Sequence, residues 1–421
     1  RKQLPRPVTF YLHGAGLFDF RTEISNYLGR MLGMHEAARP SWWQHSVDAF
    51  LVPALYSHPL RSHSPADAAV HVLALAPSAC QGVYNTSSLT ARMDGIAHAL
   101  NRTLRSRDAA RGDATLLRSH GPRGETSHGV RSDIAVAAAA WANTSVRMLV
   151  FAPGETLEAQ MGRLLSGMLS GRPNVRIATC DNGFGGIRPN QPYSHLYRQA
   201  IPLPYLVRPS FSAFAVEACR SGGGHALLAQ KPPSVIFHGD TGRYDGGVRG
   251  AVRDILSLVN VSDMRSSFGV RYNASGLRPL FDATEEAMRH GSMCFVPSGD
   301  TPTSRRLFEA MATGCVPIIT RSQHLWMASL PFLTIVEWRA FSYFLSPTRM
   351  SLAHRHKQPS STSDVWEGRR VEAAWVEAQV WETRQVHHAR KMALAAFCAH
   401  MDPQANPVGM LDAVLSYQHF L

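Results

Sequence analysis

Residues 291–320, GSMCFVPSGDTPTSRRLFEAMATGCVPIIT, decide how the rest of the chain is read. Residues 293–297 form a short apolar run of the kind buried parallel strands use, and residues 315–319 form a second, so the segment between them is a crossover. That segment carries helix punctuation. Thr301 suits an N-cap, Pro302 suits a first turn in which its missing N–H would be unpaired anyway, and Gly314 suits the left-handed position after a helix. The expected order is strand, Gly299-containing loop, helix, strand. A loop of this kind lies at the carboxyl end of a parallel strand and faces a helix N-terminus, where open α/β sheets bind anions. Arg305 and Arg306 place positive charge beside the positive end of the helix dipole, which is costly unless an anion accompanies them. Glu309, one turn after Arg305, either braces that guanidinium or turns its carboxylate to sugar hydroxyls.

Cys294 to Pro297, Gly299 to Ala310 and Gly314 to Pro317 together resemble the signature of the exostosin-like glycosyltransferases. Other pieces resemble the same family more loosely. They are residues 47–53 (VDAFLVP) near the N-terminus, 201–205 (IPLPY) before the second half, and Phe237, Gly239, Arg249 and Gly250 at its start. Leu330, Pro331, Phe332, Trp338, Phe341 and Ser342 follow the central segment. The resemblance implies an α/β fold of the GT-B type, two Rossmann-like domains facing across a cleft, with C-terminal helices returning to the first domain. It also implies inverting transfer of a sugar from a nucleotide-sugar, UDP-linked in expectation, to a glycan or glycoprotein acceptor, in a Golgi protein with a single N-terminal membrane anchor. The anchor is not in this chain, which opens on Arg1.

At 421 residues the chain suits two domains of roughly 200 residues each. We place the first at 1–205, the second at 206–385 and returning helices at 386–421. Hydrophobic content of 45% and charged content of 18% mark a globular protein. The net charge of +12 favours an anionic partner, although 39 of the 43 basic residues are Arg, a bias that base composition can also produce. No motif interleaves aromatics with that charge, so nucleic acid is not an expected partner. The surviving alternatives to an enzyme are a noncatalytic partner or scaffold of a glycan polymerase and a secreted polyanion-binding protein.

Five of the ten Asn residues lie in N-x-Ser/Thr sequons: Asn85, Asn101, Asn143, Asn260 and Asn273. Chance would supply about one or two, so the excess points to a lumenal or secreted chain. Six Cys are too few for a disulfide scaffold at this length. Cys294 and Cys315, on apolar strands, read as packed thiols, and Cys180 and Cys219 as a pair that could bridge. No zinc-type Cys/His spacing occurs.

In chain order, residues 8–12 and 49–52 read as strands around a helix over 22–34, a βαβ opening. The glycines after the first strand lack dinucleotide spacing. Residues 102–131, rich in Arg, Gly, Ser and His, read as a mobile surface insertion. Strands are expected at 146–153 and 174–179 around a helix over 157–169, with an extended connector at 201–205. The second half begins with a strand at 234–238, a glycine-rich loop to 247 and a helix over 248–258 carrying Arg249 in its first turn. Further helices are expected at 277–290, 371–388, 391–400 and 412–420, and a strand at 332–336.

For a departing nucleoside diphosphate, fixed cations stabilise the transition state more than the ground state. Candidate donors are Arg249, Arg305, Arg306, Ser304 and the backbone around Gly299, Asp300 and Thr301. The resemblance implies that Glu309 meets ribose hydroxyls. The sequence contains no Asp-x-Asp pair, so no metal cofactor is expected and the arginines would take its task. Inversion also needs a base, and His13 and Asp19, after the first strand, are the candidates. The family's Asp-His pair followed by aromatics has no counterpart here.

Overall fold

The computed structural model describes residues 8–13, 19–34, 39, 43–44, 46–75, 94–96, 98–99, 136–137, 139–140, 145–151, 172–180, 200–220, 232–239, 248–266, 274–297, 303–320, 329–345 and 362–417. Two parallel sheets organise them. In the first, β1 (Phe10–His13), β2 (Arg61–Ser62), β3 (Val70–Ala74), β4 (Arg147–Phe151), β5 (Val175–Thr179) and β6 (Ala200–Pro202) lie in the order β2-β1-β3-β4-β5-β6. In the second, β7 (Val235–Gly239), β8 (Ser262–Ser266), β9 (Met293–Pro297), β10 (Val316–Thr320) and β11 (Tyr343–Phe344) lie in the order β11-β10-β9-β7-β8. Every neighbouring pair is parallel. The fold is α/β with two such sheets, as a GT-B protein requires.

Parallel strands are covered on both faces, which is why β3, β9 and β10 are buried at every position and read as apolar runs without alternation. The helices are α1 (Arg21–Leu32), α2 (Asp48–Ser57), α3 (Pro209–Arg220), α4 (Val248–Leu256), α5 (Ala274–His290), α6 (Arg305–Ala312), α7 (Thr362–Trp381), α8 (Thr383–His400) and α9 (Pro407–Tyr417). The last helix packs on α2 beside the first sheet, with His58 Nε2 3.3 Å from Asp412 Oδ1, so the chain does return to its first half. By contrast α8 packs on α3 and α6.

Several expectations are corrected. Residues 49–52 are not a strand but the first turns of α2, with Pro53 inside the helix. A four-residue apolar run does not distinguish strand from helix, and the flanking residues here carry the helix on through Ser57. Residues 332–336 form turns rather than a strand. Phe332 has φ 53°, and the edge strand comes later, as β11. Residues 201 and 202 of the expected connector belong instead to β6, which pairs with β5 as a sixth strand. The helix expected over 371–388 divides at Glu382, the N-cap position of α8. The helix expected over 157–169 and the insertion at 102–131 lie outside the described residues.

The cysteines are also reassigned. Cys294 and Cys315 are joined by a disulfide, as are Cys219 and Cys398, while Cys180 is buried outside both bridges, its Sγ 3.5 Å from Pro204 O. The first bridge follows from register. Cys294 lies opposite Pro317 on the adjacent parallel strand, and Cys315 stands just before that strand, so their Cα atoms are 5.8 Å apart. The second bridge staples α3 to α8 across 179 residues of sequence.

Candidate donor site at the second switch point

In the second sheet the chain moves from β7 outward to β8, then returns to the other side of β7 for β9. The carboxyl ends of β7 and β9 therefore flank the point where strand order reverses, the usual ligand crevice of open α/β sheets. Three features build the site there. At the end of β7, Gly239 has no side chain, and a Cβ at that position would come within 3.3 Å of the Phe237 ring and 3.9 Å of Arg249 Nη1. Arg249, the second residue of α4, thus lies within ordinary contact range of the strand end. After β9, the chain enters α6 through Ser304, whose φ of −135° and ψ of 155° are those of an N-cap.

This corrects the expected helix start. Ser304, not Thr301, stands at the cap, and its hydroxyl contacts the Pro297 carbonyl at 3.5 Å instead of an amide of its own helix. The far end of α6 behaves as read. Gly314 has φ 63°, its N–H donates to Met311 O at 3.0 Å, and Cys315 N–H donates to Ala310 O at 2.8 Å, the paired bonds of a left-handed helix stop.

Arg305 and Arg306 open α6 and converge on Glu309, which is only 1% exposed. Arg306 Nη1 donates to Oε2 at 2.7 Å, and Arg305 Nε lies 3.4 Å from Oε1. A third arginine, not singled out in the sequence, completes the cage: Arg208, just before α3, donates from Nε to Oε1 at 2.9 Å. Its Nη1 donates to Phe281 O at 2.8 Å, and the rings of Phe211 and Phe281 lie 4.3 and 5.3 Å from its guanidinium carbon. Of the two readings of Glu309, bracing is the one its hydrogen bonds serve in this structure.

Burial alone would raise the Glu309 carboxyl, yet Arg208, Arg306 and Arg305 outweigh it and hold the group down at about 2. Burial is the main cause lowering Arg306 to about 10; Glu309 opposes that shift, and Arg208, Arg305 and Arg249 reinforce it. Three guanidinium groups thus hold a single carboxylate, with that of Arg249 acting on Arg306 beside them, a balance suited to a multiply charged anion. His238, at the end of β7, joins the same field. Its pKa is lowered by burial first, with Asp263 opposing and Arg306 and Arg265 adding to the shift. Its Nδ1 lies 3.3 Å from Thr284 Oγ1.

Among the expected site residues, Arg249, Arg305, Arg306, Glu309 and Ser304 are gathered around the starts of α4 and α6. Gly299, Asp300 and Thr301 lie outside the described residues. His13 and Asp19 belong to the first sheet's region. His13 ends β1 and is fully buried, its Nε2 3.1 Å from His71 Nδ1, while His71 Nε2 lies 3.2 Å from Pro65 O. If His71 donates to that carbonyl, its Nδ1 accepts from His13. Burial, then the neighbouring His71, lowers His13 well below the ordinary histidine value. Asp19 accepts from Arg21 N–H at 3.1 Å and from its guanidinium at 2.7 Å, at the start of α1. Asn260 sits exposed in the turn before β8, its side-chain amide donating to Glu377 at 2.9 Å; the other four sequons lie outside the described residues. Among the described residues, no group of three His, Cys, Asp or Glu side chains is placed to hold a metal, and no helix is long and apolar enough to cross a membrane.

Known proteins resemble parts of this chain. It is 26% identical over 162 residues to a probable arabinosyltransferase of Arabidopsis thaliana, covering 38% of this chain and 31% of that protein. It is 32% identical over 103 residues to a probable glycosyltransferase of the same plant, covering 24% of this chain and 18% of that one. The chain therefore spans less than a third of either relative in these matches. Residues 177–358 match the exostosin GT47 domain, an interval that runs from β5 through the whole second sheet and includes the arginine cage. The matched interval contains residues 291–320, whose signature resembles the same family.

Proposed function

We propose that this protein is an inverting glycosyltransferase that takes a hexose or pentose from a nucleotide-sugar, UDP-linked, and transfers it to a glycan or glycoprotein acceptor. The observation that carries the reading is the cluster of Arg305, Arg306, Arg249 and Arg208 at the switch point of the second sheet, braced by one buried carboxylate. Departure of a nucleoside diphosphate from an anomeric carbon concentrates negative charge on its phosphates. Preorganised guanidinium groups stabilise that charge without reorganising when the bond breaks. The arginines take the place that a metal cofactor holds in other transferases, so transfer should not require a divalent cation. On the acceptor side, His13 or Asp19 is the proposed base. Glycosylation at the sequons and residence in the Golgi lumen behind a membrane anchor belong to the same proposal.

Calorimetry with UDP tests the donor site. Binding by the parent protein, lost in Arg305→Ala and Arg306→Ala variants that keep their thermal transition, supports the reading. Unchanged affinity in both variants overturns it. Protection against thermal unfolding by a panel of nucleotide-sugars then selects the donor.

A further inference from the structure

We infer that Arg208 is a positioning residue of the donor site, there to take over Glu309 when a diphosphate draws Arg306 away. This inference rests on the donor-site reading above. A guanidinium presents its donors along fixed edges. Nε–H and one N–H of Nη2 lie along the same edge, the edge that grips a carboxylate with two parallel bonds. Arg208 already has Nε on Glu309 Oε1 at 2.9 Å. The matching partner for Nη2 would be Oε2, but Arg306 Nη1 holds that oxygen at 2.7 Å. Arg208 Nη2 is accordingly buried with no hydrogen-bond partner among the described residues. A buried donor left without an acceptor is unfavourable, so the resting arrangement keeps an unmet demand beside the carboxylate.

The rest of the guanidinium is fixed. Nη1 is on Phe281 O at 2.8 Å, the Phe211 ring lies against it, and the residue is 3% exposed. Arg306 is the less confined partner, with a quarter of its side chain accessible. A phosphate engaging Arg306 would by itself leave Glu309 Oε2 buried and short of a bond. With Arg208 in place, Nη2 closes onto that oxygen, and a one-bond contact becomes a two-bond fork. The exchange offsets the cost of releasing Arg306, and it requires an arginine at this position. Lysine could keep one bond to Oε1 but has no second donor on the same edge.

The exchange also reaches beyond the site. Arg208 ends the segment that leaves β6 of the first sheet, and within that segment Leu206 N–H donates to Gln44 O at 2.8 Å while Gln404 donates to Val207 O at 3.0 Å. Tightening the fork therefore acts on the segment that leads from the first sheet to the second.

The test compares parent and Arg208→Lys by calorimetry with UDP. We expect the variant to bind about tenfold more weakly, the scale of one charged hydrogen bond. Equal affinity in the variant overturns the exchange while leaving the donor site intact, whereas no UDP binding by the parent overturns both. Should Arg208→Lys fail to fold, nitrogen-resolved NMR of the arginine side chains in the parent decides. Slowed rotation of the Arg208 guanidinium on adding UDP supports the exchange, and an unchanged signal overturns it.

Discussion

The two sheets reverse their strand order at comparable places, between β1 and β3 in one and between β7 and β9 in the other, yet they fill the two crevices with opposite chemistry. In the first, His13 and His71 form a buried neutral pair. In the second, arginines crowd one ionised carboxylate. A parallel sheet with its switch point supplies only a location. The residues at the strand ends decide the chemistry of that location, and in this molecule only the second of the two described crevices gathers arginines around a buried carboxylate.

The sharpest way to break the contrast is to remove the carboxylate. Glu309→Ala leaves three arginines without their shared partner, and loss of one member of a buried ion cluster costs about 3 to 5 kcal/mol. We expect a clear drop in the midpoint of chemical denaturation. A midpoint equal to the parent's would mean that the arginines are solvated and need no brace. The same carboxylate gives a pH signature. Its folded pKa, about 2, lies below the unfolded one, so its stabilisation is present above pH 4.5 and fades as pH falls toward 2.

Next in size is Arg306→Ala, expected to raise the transfer barrier by about 2 to 4 kcal/mol, read as a loss in kcat/KM of roughly a hundredfold. A smaller loss confined to KM would mean that Arg306 binds the donor without favouring its departure.

The first crevice gives a comparable effect on stability. His71 is lowered to about 4 by burial, against the opposing bond to Pro65 O, so the folded protein resists protons that the unfolded chain accepts near pH 6.5. The resulting penalty on the fold is absent above pH 6.5 and grows to roughly 3 kcal/mol as pH falls toward 4. In His71→Asn the slope of stability against pH should flatten over that window; an unchanged slope would assign the sensitivity to other groups.

Much of the second crevice was legible in the sequence, because its determinants are local. Strand, helix start, arginine pair and final glycine all fall within thirty consecutive positions, residues 291–320. What sequence missed is what folding brings from afar. Arg208 meets Glu309 across 101 positions and Phe281 across 73, and nothing in LPYLVRPS marks it out. The helix start was misplaced because Thr301 and Pro302 carry the same local signals as a true cap, and Ser304 shows that the backbone turned three residues later. The run AFLV at 49–52 was misread because length and apolarity alone do not set a period. The Cys294–Cys315 bridge could have been found: two cysteines flanking one crossover, on strands that must be neighbours, lie within reach of each other.

The two cross-links bear on how the protein can be made. Both involve the half that carries the arginine cage: one joins neighbouring strands beneath α6, and the other fastens α8, whose Arg390 Nε donates to Gly314 O at 2.9 Å behind that helix. Synthesis in a thiol-reducing cytosol would leave four sulfurs uncoupled and the anion crevice without its two staples. Material prepared through an oxidising route is therefore the right starting point for any assay of nucleotide binding, and a silent assay on reduced protein would say more about the sulfurs than about the arginines.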